Sequence, residues 1–303
     1  SVAFKEGFLD KPLVNLWARQ LTKELQFIFP EFKPVLPKFS YVTTIDVDNI
    51  YAYLGKGGFR TIGGIAKDVM GMNIENFRER VKTLIRMNPD PYDTFDWQQE
   101  VHKKYGVKSI YFMLFSEFSR FDRNVSMYHG RMRSTVKHYN DYTTLGIHPS
   151  YQSNSSKAIL ENEKTELEQL MGRPVTHSRQ HFLKTQLPKT IRILSNLGIK
   201  DEYTMGYAWE TGFRASICTP FNFYDLDLDV STKLSLVPFM LMDGTMKDYM
   251  KLNPQESVLR AKGLIDEVKA VKGTFVTLWH NQSVNDKEEW EGWRDVYEQI
   301  VAY

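Results

Sequence analysis

The sequence predicts an α/β fold, built as a distorted (β/α) barrel of seven or eight strands. Predicted strands alternate with helices of ten or more residues along most of the chain, which is the pattern of βαβ units and a parallel sheet. The number of predicted strands suits a barrel better than a small open sheet, although an open sheet stays an alternative. A chain of 303 residues, 42% of them hydrophobic, can bury one large core. In such a barrel, functional side chains are expected at the carboxyl ends of the strands.

The beginning of the chain differs from the rest. Spaced apolar positions in residues 12–29 predict an amphipathic helix. Three prolines within residues 30–37 then predict an extended connector. We therefore divide the chain into residues 1–38, an N-terminal helix and connector that could be the remnant of an upstream domain, and residues 39–303, the barrel.

The barrel region is predicted from its apolar patterns. Strands are expected where short apolar runs end at polar residues, and helices where apolar residues recur every three to four positions. The helix at 157–171, for example, follows Ser155 and Ser156 and ends at Gly172. The predicted strands are residues 41–46, 109–115, 145–148, 175–182, 203–207, 216–223, 234–242 and 274–280. The predicted helices are residues 74–87, 95–105, 157–171, 190–197, 257–270 and 288–301.

Composition excludes several classes of function. Lys and Arg total 39 against 37 Asp and Glu, so a net charge of +2 gives no general attraction to nucleic acid. Cys218 is the only cysteine, which rules out an intramolecular disulfide and a thiolate zinc cluster. No apolar run approaches the roughly 20 residues that span a bilayer, and no signal peptide is seen. We therefore expect no membrane insertion and favour a cytoplasmic location, while no pattern indicates an oligomeric state.

Two carboxylates stand at the end of the first predicted barrel strand. Asp46 and Asp48 lie two residues apart in the segment TTIDVDN, so in an extended strand they share one face. Two carboxylates so close repel each other unless a cation or a proton lies between them. One can bind a metal while the other accepts a proton, and a hydrolytic metal site needs both roles. A strand-end turn capped by Asp48 and Asn49 is the structural alternative.

Histidines end three other predicted strands. His148 follows a short apolar strand, and His280 ends the strand at 274–280. His177, Arg179 and His181 alternate along one face of the predicted strand at 175–182, and such a polar row is hard to explain as packing. For each histidine alone, a hydrogen-bonded structural role is the alternative. Their joint position at strand ends, with an acidic pair at another, indicates a metal or catalytic site.

At these residues the chain resembles the polysaccharide deacetylases, carbohydrate esterase family 4, and is similar to their peptidoglycan-deacetylase-like branch. The resemblance covers residues 39–303, with short motifs in the family's order along the chain. The first motif is a strand end with Asp-x-Asp and a glycine-containing loop, matched by residues 46–55. The resemblance implies that Asp46 is the catalytic base and Asp48 a metal ligand.

Three further motifs extend the resemblance. Gly146-Ile147-His148 matches the start of a His-x-x-x-His motif, which implies that His148 is a metal ligand. Leu278-Trp279-His280 matches a Leu-x-His motif, in which the Leu lines the acetyl pocket and the His is the general acid. The segment GFRA around Arg214 resembles an arginine motif whose guanidinium positions the catalytic Asp.

One position departs from the family's pattern. The second histidine of His-x-x-x-His would fall at position 152, where this chain has Gln152, and an amide oxygen is a poor zinc ligand. Three outcomes are open: His181 supplies the third ligand, water completes a weaker site, or the fold is kept while deacetylation is lost. The row that contains Arg179 and His181 favours the first outcome. Arg179 is a second candidate, beside Arg214, to hold Asp46.

The resemblance implies metal-dependent deacetylation of an acetylated carbohydrate, by hydrolysis of an amide or an ester. The implied cofactor is a divalent ion, zinc first, with cobalt, nickel or manganese as alternatives. The implied partner is the carbohydrate substrate. Tyr207 and Trp279 lie near motif segments and are expected, with Leu278, to contact it.

Two other functions stay open. The missing histidine at position 152 would suit a catalytically impaired glycan-binding protein on the same fold. The Asp-x-Asp sequence also resembles the haloacid-dehalogenase phosphotransferase motif, in which Asp46 would be the nucleophile. That motif wants Thr or Val where this chain has Ile50, and it leaves the Leu-x-His motif without a role.

Overall fold

The computed structural model describes all 303 residues and places nine strands in one sheet. The strands are β1 (Ser40–Val47), β2 (Lys108–Met113), β3 (Thr144–Ile147), β4 (His177–Ser178), β5 (Asp201–Glu202), β6 (Phe221–Asp225), β7 (Val230–Leu236), β8 (Leu241–Met242) and β9 (Thr274–His280). Their order in the sheet is β6-β7-β5-β4-β3-β2-β1-β9-β8, and every pair is parallel except β6 with β7. The predicted α/β class is confirmed.

Ten helices accompany the sheet. They are α1 (Val2–Lys5), α2 (Leu13–Ile28), α3 (Gly58–Met70), α4 (Ile74–Leu84), α5 (Phe95–Tyr105), α6 (Gly130–Asn140), α7 (Lys157–Met171), α8 (Lys189–Asn196), α9 (Pro254–Ala270) and α10 (Trp293–Ala302). Buried residues of α5, α9 and α10 belong to the same apolar core as those of β1, β2 and β9. No helix combines the length and the apolar character that crossing a bilayer requires.

The sheet does not close into a hydrogen-bonded barrel, because the strand between β5 and β9 is broken. The sequence predicts one strand at 234–242, but β7 pairs with β5 and β8 pairs with β9. Residues 237–240, which we call the seam, separate them and contain Pro238, which has no N–H to donate. Isolated hydrogen bonds still link the seam to its neighbours, from Val237 N–H to the Glu202 carbonyl (2.8 Å), from Phe239 N–H to the Met205 carbonyl (3.0 Å) and from Met240 N–H to the Val276 carbonyl (2.9 Å). The predicted distorted barrel of seven or eight strands is therefore not confirmed, since the structure has one sheet of nine strands that does not close.

Other elements are shorter than predicted or new. The predicted strand at 175–182 is extended only in β4 and then turns in a short 3₁₀ helix (His181–Leu183). The strand predicted at 203–207 is replaced by β5, and the one at 216–223 by β6. Helices α3 and α6 have no counterpart among the predicted elements, and in α3 the three glycines lower the helix propensity of the sequence.

Helix α2 packs at the amino-terminal end of the sheet, whereas residues before it contact the segment at 207–213 that follows β5. Leu9 is buried, and Asn15 in α2 donates a hydrogen bond to Thr219 Oγ1 (3.1 Å). Cys218, next to Thr219, accepts the backbone hydrogen bond of Thr274, the first residue of β9. Helix α2 therefore lies at the end of the sheet opposite the carboxyl ends of the strands. The domain division at residue 38 stays a prediction.

Candidate metal centre

Three side chains converge at the carboxyl ends of β1, β3 and β4. Asp48 follows β1, His148 follows β3, and His181 begins the turn after β4. One ligand atom from each lies within 4.8 Å of the other two. His148 Nε2 is 3.3 Å from Asp48 Oδ1, and His181 Nε2 is 3.8 Å from Asp48 Oδ2. The structure thus brings together the three residues predicted to bind metal.

The outer nitrogen of each of these imidazoles is already engaged. His148 Nδ1 contacts the backbone carbonyl of Arg179 at 2.5 Å, and His181 Nδ1 contacts Asp122 Oδ1 at 2.8 Å. With Nδ1 as the donor, Nε2 is the nitrogen of each ring that is left to bind a metal beside Asp48, and metal-binding histidines are oriented in this way. Asp48 Oδ1 is buried and accepts no hydrogen bond. A divalent cation fits these three ligands and would satisfy that oxygen.

The local charge favours a cation at the same point. Burial opposes ionisation of Asp48, but the contacts with His148 and His181 outweigh it and hold the pKa of Asp48 well below its usual range. Burial likewise opposes a charge on His181, yet Asp122 and Asp48 raise the pKa of His181 to about 9. The negative charge that attracts a proton to His181 would equally attract a divalent ion, which competes with protons for such ligands.

Asp46 lies beside the candidate ligands and is held by a buried arginine. Arg179 Nη1 donates to Asp46 Oδ1 (2.9 Å) and to Thr44 Oγ1 (2.6 Å). The Arg179 side chain is fully buried, with its guanidinium 4.8 Å from the ring centre of Phe112. Asp46 Oδ2 faces the other way, 3.7 Å from His148 Nε2. Asp46 therefore has one oxygen fixed and one directed toward the candidate metal centre.

His280 also lies beside Asp48 and is held by Asp243. Its Nδ1 is 2.9 Å from Asp243 Oδ1, and its backbone N–H donates to Asp243 Oδ2 (2.7 Å). Its Nε2 is 3.9 Å from Asp48 Oδ2. Burial opposes a charge on His280, but Asp243 outweighs it and raises the pKa of His280 to about 10. The imidazole is thereby oriented with Nε2 toward the centre.

Alternation along β9 decides which of its residues reach the centre. Leu278 and His280 line the cavity, as the predicted Leu-x-His pattern requires. Trp279 points away and packs against Trp293 and Tyr297 of α10, with ring centres 6.2 and 4.9 Å away. It is fully buried, so the expectation that Trp279 contacts substrate is corrected.

Two other predicted site residues also lie elsewhere. Arg214 donates to the Gly206 carbonyl (2.7 Å), and its guanidinium stacks 5.0 Å from the ring centre of Tyr207. The Tyr207 hydroxyl accepts a hydrogen bond from the amino group of Ser1 (2.7 Å). Ala208, rather than Tyr207, lines the cavity. Arg179 therefore takes the place in which Arg214 was expected, and Tyr207 is corrected as a substrate contact.

Gln152 takes no part in the centre. It is exposed at the start of a short 3₁₀ helix (Ser153–Ser155) and lines a separate depression beside Glu163. His181 occupies the position beside Asp48 and His148 instead. Of the three outcomes considered for the missing histidine, this geometry supports the first.

The centre opens into a cavity of about 510 Å³. Asp46, Asp48 and His280 lie on its wall. Its outer part is lined by aromatic and basic side chains, which are Phe121, Phe182, Tyr249, Arg120 and Arg123. A volume of this size is typical of small-molecule sites, which range over roughly 300–1,000 Å³.

Sequence reasoning missed the two carboxylates that orient the histidines. Asp243 follows the apolar segment at 234–242, so the rule that strand ends carry function could have found it. Asp122 lies in the irregular segment between β2 and α6, where no periodic pattern distinguishes it from neighbouring polar residues. Its role follows only from its contact with His181.

Replacing Asp122 with Asn should weaken metal binding by roughly 10–100-fold, because such a partner fixes the tautomer and raises the basicity of a ligating histidine. The dissociation constant for zinc, measured by competition with a chromogenic chelator, checks this. Asp225→Asn is the matched control, since Asp225 is equally buried but pairs with Arg192 instead. An unchanged constant in the Asp122 variant would show that Asp122 does not support the metal centre.

Comparison with known proteins gives structural matches only. No protein-family model matches the sequence, and no curated protein is similar to it in sequence. A structure assigned to the polysaccharide deacetylases, from Mycobacterium smegmatis, superposes with a TM-score of 0.55 at 12% identity, covering 90% of this chain and 89% of its own. Another, from Pseudomonas aeruginosa PAO1, gives a TM-score of 0.51 at 10% identity, covering 91% and 90%. At such identities the likeness concerns the fold, and it extends over nearly the whole length of both proteins.

Proposed function

The chain has the fold of the polysaccharide deacetylases, and on that premise we propose that it hydrolyses an acetyl group from a carbohydrate with the help of a divalent metal ion. One observation carries the proposal. A single cavity holds a candidate ligand set, a carboxylate fixed by a buried arginine, and a histidine fixed by a buried carboxylate. Metal-assisted hydrolysis needs these three components within reach of one another.

Asp48, His148 and His181 would hold the ion, with zinc the first choice for two imidazoles and a carboxylate. When bound, a divalent ion in such a site polarises a carbonyl group and acidifies water. The three ligands come from different strand ends, so the sheet rather than a local loop sets their spacing. A site with three protein ligands leaves coordination positions for water and substrate.

Asp46 would accept the proton of the attacking water. Arg179 holds one of its oxygens at 2.9 Å, which leaves the other directed toward the ligand set. Arg179 acts as a positioning residue, because it lies behind Asp46 and has no exposed surface. A base fixed in this way needs no reorientation when the proton is transferred.

His280 would donate a proton to the departing amine or alcohol. Asp243 occupies its Nδ1, so Nε2 is the nitrogen that faces the cavity. Leu278, on the same face of β9, offers an apolar contact for the methyl of the acetyl group. Base and acid thus flank the candidate metal centre, and general acid and base steps each contribute typically 10²–10⁴-fold.

The direct test combines metal content with product release. Elemental analysis of the purified chain should find about one divalent ion per molecule, and His148→Ala should lose it. Acetate release from a panel of N- and O-acetylated oligosaccharides should stop with a chelator and return with added zinc. A chain that binds oligosaccharides saturably, yet holds no metal and releases no acetate with any divalent ion, would instead be a glycan-binding protein.

A further inference from the structure

One helix face beside the cavity is apolar and uncovered. On α3, Phe59, Ile62, Ala66, Val69 and Met70 fall within a sector of roughly 120° around the helix axis, and none of them is charged. Phe59 is 96% exposed, Met70 83% and Ile62 67%. Isolated exposed apolar residues are ordinary, but a continuous exposed face of this kind marks an interaction surface.

Helix α3 lies beside the mouth of the cavity. Arg60, in the first turn of α3, donates to the backbone carbonyls of Asn124 (3.1 Å) and Arg123 (2.7 Å). These carbonyls belong to the loop at residues 118–124, which also contributes Arg120 to the cavity lining. Whatever covers the apolar face of α3 therefore lies next to the entrance of the cavity.

The loop at residues 118–124, which we call the rim of the cavity, carries positive charge without a counter-charge. The ion pairs that arginines form in this protein involve Arg80, Arg133, Arg179, Arg192 and Arg260. Arg120 and Arg123 are exposed and have no carboxylate oxygen within 4.0 Å, whereas the guanidinium of Arg60 is engaged by the two loop carbonyls and by the ring of Phe118. Apolar side chains flanked by basic ones are the combination with which peripheral proteins bind anionic lipid headgroups.

We propose that α3, together with Arg120 and Arg123, docks the protein on an anionic lipid surface. The apolar side chains enter the headgroup boundary, and the guanidinium groups contact lipid phosphates. A second copy of the chain is a poorer occupant, because two copies meeting through this face would bring the unpaired arginines together. If the chain has the proposed function, on which this step rests, docking implies that the acetylated glycan is presented to the cavity from a lipid surface.

Co-sedimentation of the full chain with lipid vesicles tests the docking. The protein should bind vesicles that contain phosphatidylglycerol and not vesicles of phosphatidylcholine alone, and added salt should weaken the binding. Phe59→Ser combined with Ile62→Ser should lower partition onto the anionic vesicles by at least about 10-fold. Arg120→Gln combined with Arg123→Gln should also lower it and flatten its dependence on salt.

The matched control is on α2, at the other end of the molecule. Trp17 and Leu21 are 65% and 59% exposed, and Trp17→Ser with Leu21→Ser should leave vesicle binding unchanged. Docking through α3 is overturned if the α2 variant loses binding equally, or if both kinds of vesicle bind alike. It is also overturned if sedimentation finds a dimer that Phe59→Ser dissociates.

Failure of docking and failure of catalysis give different results. The Phe59 and Ile62 variant should release acetate from soluble oligosaccharides at the wild-type rate, since neither residue lines the cavity. The wild type releasing acetate without binding vesicles would remove the docking proposal alone. Vesicle binding without acetate release from any acetylated substrate would remove the proposed hydrolysis and leave the docking surface in place.

Discussion

Replacing Asp46 with Asn should lower turnover of an acetylated substrate by roughly 10²–10⁴-fold while metal content stays unchanged. The amide keeps the size of the carboxylate and can still accept the hydrogen bond from Arg179, but it cannot take a proton from water. Steady-state rates of acetate release, measured beside elemental analysis of the same preparation, check both parts of this expectation.

A matched control separates catalysis from the loss of a buried ion pair. Asp68 is also buried and paired with an arginine, Arg80 (2.6 Å), but lies outside the cavity lining. Asp68→Asn should therefore cost stability without a comparable loss of turnover. Near wild-type turnover in the Asp46 variant would rule out Asp46 as the base, and loss of metal in that variant would make Asp46 a ligand instead.

Replacing His181 with Gln should weaken zinc binding by more than about 100-fold, because removal of a ligand exceeds the cost of removing its orienting partner. This exchange places an amide where the structure has the third candidate ligand. The zinc dissociation constant measures the effect, and acetate release should fall with it at limiting zinc.

Two variants test whether His181 acts in place of the motif residue. His177→Gln changes the histidine at the start of β4, which faces Asp201 rather than the centre, and should not alter zinc binding. Gln152→His restores the family's motif at an exposed position outside the cavity and should likewise leave zinc affinity unchanged. If Gln152→His binds zinc more tightly and His181→Gln does not change zinc binding, the third metal ligand belongs at position 152 and not at position 181.

Regular alternation explains why much of the candidate site could be predicted. In β1 and β9 the chain is extended throughout, so a period of two places Thr44 with Asp46, and Leu278 with His280, on the interior face. The same rule, applied to Trp279, predicts the outward position that the structure shows. Trp279 was expected to contact substrate because it lies within the Leu-x-His motif. In a strand, however, neighbouring residues face opposite sides, so Trp279 cannot share the face of Leu278 and His280.

Contacts between distant segments explain most of what could not be predicted. Arg179 and Arg214 both follow plausible patterns, and only the tertiary fold shows that Arg179 reaches Asp46 while Arg214 bonds to Gly206. Asp122 reaches His181 from a loop 59 residues away in sequence. The sequence shows that Pro238 lacks an N–H. That the strand at 234–242 divides there into β7 and β8 depends on its pairing with β5 on one side and β9 on the other.

The seam leaves the carboxylate that orients the proton donor with less mechanical support than the base receives. Asp46 lies in β1, which pairs with β2 on one side and β9 on the other over most of its length. Asp243 follows β8, a strand of two residues that begins where the seam ends. Local opening costs least where the hydrogen-bond ladder is thinnest. Fluctuations on warming should therefore displace Asp243 first, so that His280 loses its orienting carboxylate at a lower temperature than Asp46 loses its place in β1.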